Sequence, residues 1–387
     1  MKIAITGLLH HPIAEPFAGG MESHTWWLAK KLIERGHDVT LFASGDSDSS
    51  LGLEPCIETS FSTHPQAKTL AGRQACNMSA YASVIRQICS DRFDVVHNNA
   101  LHPFLLTSAA DLPTPMLAVL HTPVYKELAD AVKYASARNV LGRLATVSVS
   151  ESLAKEWRDY TNPVVVYNGI DVECWPFSPN SSEGEALWYG RIVPEKAPHL
   201  AIQAALKAGF SIQIAGPISD LTYFKNNVKP LIDDRAVEYL GHLTQSSIKN
   251  VLTKAKVFLN TSVWEEPYGL VYAEALACGT PVATFGGGAS TEILTPDCGA
   301  IAKERTVDAL AEAVATAAQL SRAACRERAL SFCHIDSMID GYERLYRQLV
   351  CRQQMLNEQK KSAPVKTTRS KAAKGIEQIQ ALVGIAT

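Results

Sequence analysis

The feature that most constrains this chain is an alternation carried along nearly its whole length. Short apolar runs alternate with helical stretches. KIAITGL (2–8), DVTLFA (38–43), DVVH (94–97), MLAVLH (116–121), RLATVSV (143–149) and VVVY (164–167) form a first series. They are continuously apolar, as strands buried on both faces of a parallel sheet must be. The segments between them are amphipathic, the first from about His24 to Arg35 with Gly36 as its C-cap. Residues 172–184, VECWPFSPNSSEG, are rich in Pro, Ser and Gly and read as a linker. A second series follows it: ALWYGR (186–191), SIQIAG (211–216), VEYLG (237–241), VFLN (257–260) and PVATF (281–285). The expected fold class is therefore α/β, with two Rossmann-like domains, 1–170 and 171–335, facing across a cleft. Met338, Ile339, Tyr342, Leu345, Tyr346 and Leu349 stand at helical spacing in a further segment, 336–351.

A chain of 387 residues is long enough for two cores of ordinary size. The formal net charge of −2 is unevenly spread. From Arg352 onward there are seven Lys/Arg against two Glu, which leaves −7 on residues 1–351. The mildly acidic body gives no reason to expect nucleic acid as a partner. The tail, 352–387, is basic and poor in aromatics, and is expected to be disordered. Nine cysteines without a C-x-x-C pair suit a reducing compartment. There is no signal-peptide pattern and no apolar run of spanning length, so a cytoplasmic location is expected, with weak attachment to a membrane surface left open.

The chemistry concentrates in Trp264 to Pro281, WEEPYGLVYAEALACGTP. A turn, Glu266 to Gly269, runs directly into an apolar helix from Leu270 to Cys278. The N–H groups and dipole of such a helix face back on the turn and make an anion site. Glu266 and Glu274 bracket it, and Glu274 lies among apolar neighbours where a solvated carboxylate is out of place. Arg191 and Lys196 (GRIVPEK, 190–196) follow a strand directly, and their fork and point charge suit a diphosphate. Gly19 and Gly20 lie on the first strand–helix loop, where glycine permits close backbone approach; that loop has no G-x-G-x-x-G, which argues against a nicotinamide cofactor. Glu22 belongs to the first turn of the helix behind them. His97 and His121 each close a strand, and His10 and His11 share the first loop. No spacing demands a metal, and no nucleophile elbow or P-loop is present.

Together these residues resemble a retaining glycosyltransferase of family 4 with the GT-B fold, over residues 1 to about 350. The most specific part is E-x7-E from Glu266 to Glu274, supported by Gly19-Gly20, VVYNGID (165–171) and GRIVPEK. The resemblance implies a nucleoside-diphosphate sugar donor, a hydroxyl-bearing acceptor, transfer of a hexosyl group, and neither cofactor nor obligatory metal. It implies that Arg191 and Lys196 hold the diphosphate, with Gly20 and the N–H groups of Gly269 and Leu270. It gives Glu274 the ribose hydroxyls, Glu266 those of the sugar, and His121 a place at the sugar's reacting face. Tyr268 and His242 join the donor site, the latter because GHL after Gly241 resembles the segment that meets the base. Glu22, His97 and His11 are assigned to the acceptor side, with acceptor specificity in the loops 8–23, 44–66, 97–104 and 122–140. Segment 336–351 matches the family's last helix, which crosses back to the first domain. Where the family usually has GG-x-x-E, Glu292 stands one residue later after Gly288. A GT-B epimerase and a non-catalytic nucleotide-sugar-binding protein share the fold and stay open as alternatives.

Overall fold

The structure, a computed structural model, describes residues 1–181 and 185–362. Its framework is two all-parallel sheets. The first contains β1 (Lys2–Thr6), β2 (Asp38–Ser44), β3 (Leu53–Ile57), β4 (Val95–Asn98), β5 (Met116–Leu120), β6 (Leu144–Ser148) and β7 (Val164–Val165), in the order β3-β2-β1-β4-β5-β6-β7. The second contains β8 (Glu185–Tyr189), β9 (Ser211–Ala215), β10 (Val237–Tyr239), β11 (Val257–Asn260), β12 (Val282–Thr284) and β13 (Gly299–Ile301), in the order β10-β9-β8-β11-β12-β13. In each sheet the direction of winding reverses once, between β1 and β4 and between β8 and β11. Ligands of doubly wound sheets lie in the crevice beyond the strand ends at that reversal. The register there, Ile5 against His97 and Leu187 against Phe258, sets which residues reach it.

Two of the strands escape sequence reading for physical reasons. β3, LEPCI, carries a proline and reads as loop; it is an edge strand, pairs only with β2, and slips register after Ala43. β13 is three residues long, too short for a periodic signal. Helix Lys126–Arg138 lies inside an expected loop, although Leu128, Ala129, Ala131, Val132 and Ala135 give it a buried apolar face. Helix Pro103–Ser108 likewise opens inside an expected loop. The first helix spans Gly20–Glu34 and so begins a turn earlier than expected, with the extended Gly19 as its N-cap.

The last helix, Ile335–Ser362, requires a correction. The disorder expected from Arg352 onward does not hold through Ser362, because the helix continues past Cys351 into that segment. Residues 363–387, the rest of the expected tail, lie outside the described residues. The helix docks on the first domain: Met338, Ile339, Tyr342 and Tyr346 are buried. Arg35 ties its outer face down through Asp336 (2.8 Å) and Asp340 (2.5 Å). Burial of that apolar stripe, rather than the exposed ion pairs, holds the helix, since such pairs contribute about 1 kcal/mol or less. Among the described residues no helix is long and apolar enough to cross a membrane.

Candidate active site

The carboxyl ends of the two sheets enclose a cleft of about 430 Å³. On its second-domain wall, helix Leu270–Ala277 starts from Gly269, which has φ +83°. A side chain there would be strained by that angle and would also bring its Cβ to 2.7 Å from the Tyr272 ring. Glycine thus lets the turn fold tightly enough for the first helical N–H groups to face the cleft, as an anion site requires. Arg191, carried out by the end of β8, lines the same cleft. It is exposed and makes no hydrogen bond or ion pair with another described residue. Its charge is felt by His10, His11 and Glu22, which lie behind the opposite wall.

Lys196 and Glu266 were expected to meet different parts of a ligand, and the structure also pairs them with each other. Lys196 Nζ lies 2.5 Å from Glu266 Oε2 and 5.2 Å from the centre of the Trp264 ring. The same carboxylate oxygen accepts from Ser262 Oγ and Trp264 Nε1, both at 3.0 Å. The pair is electrically balanced, so the uncompensated positive field comes from Arg191 and the helix terminus. An ammonium has three donors, and the bond to Glu266 uses one, leaving Lys196 able to serve an anion as well.

Glu274 lies in the second turn of that helix, eight residues on from Glu266, and is 8 % exposed. It lines the cleft and accepts a hydrogen bond from the Tyr189 hydroxyl. Burial pushes its carboxyl up to about 7, against the pull of that hydrogen bond and of Lys249. A buried carboxyl beside a cleft, with its pKa displaced in this way, is placed to accept hydroxyl donors from a ligand.

The first-domain wall presents Gly19, Gly20 and His121, all expected. A Cβ on Gly20 would reach 3.5 Å from Leu270 Cδ1, so the two helix starts nearly touch across the cleft. His121 is buried, with Nε2 2.9 Å from Asn99 Oδ1, which accepts. Burial, then the nearby His24 and His97, hold its pKa well below the ordinary histidine value. His242 lines the cleft at its far side and is exposed.

Four expected residues are placed differently. His97 does not reach the cleft: it is fully buried, with Nδ1 2.6 Å from the Tyr346 hydroxyl, because the last helix covers the end of β4. Tyr268 lines the cleft, but its side chain is buried with the hydroxyl beside Cys333, so it offers a ligand no phenol. His11 and Glu22 lie behind the lining. Glu22 is buried with its carboxyl pushed up by burial, and His11 packs edge-on to His10 at 4.5 Å. Glu292, displaced by one residue from the family spacing, is committed elsewhere. It accepts from the N–H groups of Glu151 and Ser152 at 2.8 Å and from the Tyr167 hydroxyl at 2.9 Å. A second-domain carboxylate thereby caps a first-domain helix, and Ser150 Oγ adds a bond to the Pro267 carbonyl at 2.7 Å.

Tyr189, Ser262, Trp264 and His24 were not anticipated. Tyr189 stands at the very end of its strand, a position that sequence alone marks as ligand-facing. His24 gives no such signal, since it reads as an ordinary helix residue.

Two facing Rossmann-like domains with a cationic, carboxylate-flanked helix terminus between them define the GT-B architecture. The description Glycosyltransferase Family 4 matches residues 18–174, and Glycosyl transferases group 1 matches residues 175–331. The chain belongs to the family 4 glycosyltransferases of GT-B fold. It is similar to the glycogen synthase of Mycobacterium tuberculosis, 27 % identical over 382 residues, covering 86 % of this chain and 91 % of that protein. It is also similar to the phosphatidyl-myo-inositol mannosyltransferase of Propionibacterium freudenreichii subsp. shermanii, 28 % identical over 304 residues, covering 73 % and 77 %. The Anabaena protein HepE, solved in complex with UDP and glucose, shares the fold with a TM-score of 0.69 at 17 % identity, covering 90 % of this chain and 100 % of HepE.

Proposed function

We propose that this glycosyltransferase moves a hexosyl group, with retention, from a UDP- or GDP-sugar to an acceptor hydroxyl held mainly by the first domain. The observation that carries the reading is one cleft containing three complementary features. Arg191 has no carboxylate partner among the described residues, the helix terminus at Gly269 is open to an anion, and Glu274 is a buried carboxyl suited to ribose hydroxyls. The UDP and glucose complex of HepE supports a nucleotide sugar as donor.

In the reaction the bond between the anomeric carbon and the β-phosphate oxygen breaks, and the acceptor oxygen bonds to that carbon on the same face. The acceptor's proton passes to the departing phosphate oxygen. Arg191, Lys196 and the N–H groups of Gly269 and Leu270 stabilise the charge that develops there, the type of interaction that usually contributes most to such barriers. Neutral His121 is a poor base and serves as a hydrogen-bonding group. No step calls on a cofactor.

A thermal-shift panel of UDP-, GDP- and ADP-sugars tests the reading, because a ligand of the folded state raises its melting temperature. A rise with one UDP- or GDP-sugar, followed by release of its nucleoside diphosphate in the presence of acceptor and an axial–equatorial relation preserved by NMR, is expected. No shift with any of them would sink the donor assignment, and donor isomerised without acceptor would point to an epimerase.

A further inference from the structure

Buried polar side chains connect the last helix to the cleft. The Tyr346 hydroxyl lies 2.6 Å from His97 Nδ1, and His97 Nε2 lies 3.0 Å from Asn99 Oδ1. The same Oδ1 is 2.9 Å from Nε2 of His121, while Asn99 Nδ2 faces Thr25 Oγ1 at 3.3 Å. Tyr346, His97 and Asn99 are all fully buried, so a donor or acceptor left unpaired there would carry a desolvation cost, and the favoured arrangement is the one that pairs them all.

That requirement fixes the direction of every bond. Tyr346 makes no other side-chain hydrogen bond among the described residues, so a proton on His97 Nδ1 would leave the phenolic O–H without an acceptor. The phenol therefore donates to Nδ1, and the neutral imidazole carries its proton on Nε2. That N–H needs an acceptor, which is Asn99 Oδ1, and the amide orientation with Nδ2 toward Thr25 agrees. With Oδ1 as the shared acceptor, His121 must also carry its proton on Nε2. Its Nδ1 then holds the lone pair, has no partner among the described residues, and belongs to a residue on the cleft wall. His24 packs against the same ring at 4.8 Å and is itself buried without a hydrogen bond, so it supplies no competing donor.

We infer that Tyr346, His97 and Asn99 are positioning residues that lock His121 in its Nε2–H tautomer. The cleft thereby meets His121 as a hydrogen-bond acceptor, which selects a ligand hydroxyl over a carboxylate or carbonyl at that point. The identity of the ligand rests on the proposed sugar transfer; the tautomer does not. The hydroxyl can belong to the transferred sugar or to the acceptor, and binding measurements separate the two.

Nitrogen-15 histidine spectra of the whole protein, with His121 assigned through His121→Gln, read the tautomer directly. The Nε2–H form is expected at pH 7, with Asn99→Leu shifting His121 toward a mixture of tautomers. The Nδ1–H form in the parent protein would overturn the inference whatever the activity. Asn99→Leu should also weaken UDP-glucose or GDP-mannose about tenfold, the effect of one lost hydrogen bond of ordinary strength, with UDP or GDP alone unchanged within about twofold. That result assigns the hydroxyl to the sugar. Unchanged sugar-nucleotide affinity with about tenfold slower transfer assigns it to the acceptor. No change in either, with the tautomer released, would overturn the selective role. Tyr346→Phe keeps the volume and removes only the hydroxyl, so it repeats the test should Asn99→Leu not fold. If neither sugar nucleotide binds the parent protein, the donor assignment fails while the spectrum still decides the relay.

Discussion

Glu274 gives a prediction whose size and sign both follow from its surroundings. Its carboxyl rises from the ordinary glutamate value of 4.5 to about 7 because the helix buries it, with Tyr189 as its one hydrogen-bond donor. At about 1.4 kcal/mol per pKa unit, that difference amounts to about 3 kcal/mol. The folded protein binds the proton more tightly than the unfolded chain, so the favourable contribution is full below about pH 4.5 and is lost as pH rises through about 7. Glu274→Gln keeps the volume and hydrogen-bonding capacity but cannot ionise. Relative to the variant, the parent protein should therefore lose about 3 kcal/mol between pH 4.5 and 8. For a domain of this size, at about 2–4 °C per kcal/mol, the gap in melting temperature should open by roughly 6–12 °C in favour of the variant. Scanning calorimetry of both proteins across that range measures it, and the other titrating groups cancel in the difference. Parallel curves would refute the account of Glu274 as a buried carboxyl held close to neutrality. The proposed donor contact adds a second sign. Ribose hydroxyls that donate to the carboxylate favour its ionised form, so nucleotide affinity should rise with pH up to about 7 in the parent and stay flat in the variant.

Three further expectations concern the frame around the cleft. Gly269→Ala should destabilise the protein by about 1–3 kcal/mol, through a left-handed backbone and a Cβ pressed on Tyr272, and should weaken anion binding with it; denaturant unfolding and titration measure the two. Glu292→Ala removes the acceptor for Glu151 N–H, Ser152 N–H and the Tyr167 hydroxyl, costing about 1–2 kcal/mol as loss of an N-cap does, and amide exchange at Glu151 and Ser152 should accelerate. Tyr342→Phe should be neutral or stabilising by up to about 2 kcal/mol, because that hydroxyl is buried without a partner; a lowered melting temperature would show that it has one.

The sequence reading succeeded where a residue's environment was set by its own neighbours along the chain. β11 is buried throughout and helix Leu270–Ala277 is buried from Tyr272 onward, and the unusual carboxylate among its alanines marked Glu274 as a site residue. Arg191 and Gly20 were legible because each follows a strand end or opens a helix, where the α/β topology places ligands. What the sequence hid depends on contacts between distant segments. His97 closes a strand just as His121 does, and only the docking of Tyr346 from far along the chain turns one inward and leaves the other on the cleft. The bond between Lys196 and Glu266 joins two motifs read separately, and Glu292 serves a helix in the other domain. The extension of the last helix past Cys351 was masked by composition: its exposed, polar and charged residues look like a tail, while the apolar stripe that anchors it ends near Leu349.

The central claim is that Arg191 and Lys196, with the helix that starts beyond Gly269, bind the diphosphate of the donor. Isothermal titration of UDP and GDP into the parent protein, Arg191→Ala and Lys196→Met tests it most directly. Each substitution removes a charge-assisted contact of about 1.5–3 kcal/mol, so the affinity for the preferred nucleotide should fall about 10–100-fold, with melting temperatures of the free proteins little changed for the exposed Arg191. Affinities within about twofold of the parent in both variants would contradict the claim and place the diphosphate elsewhere.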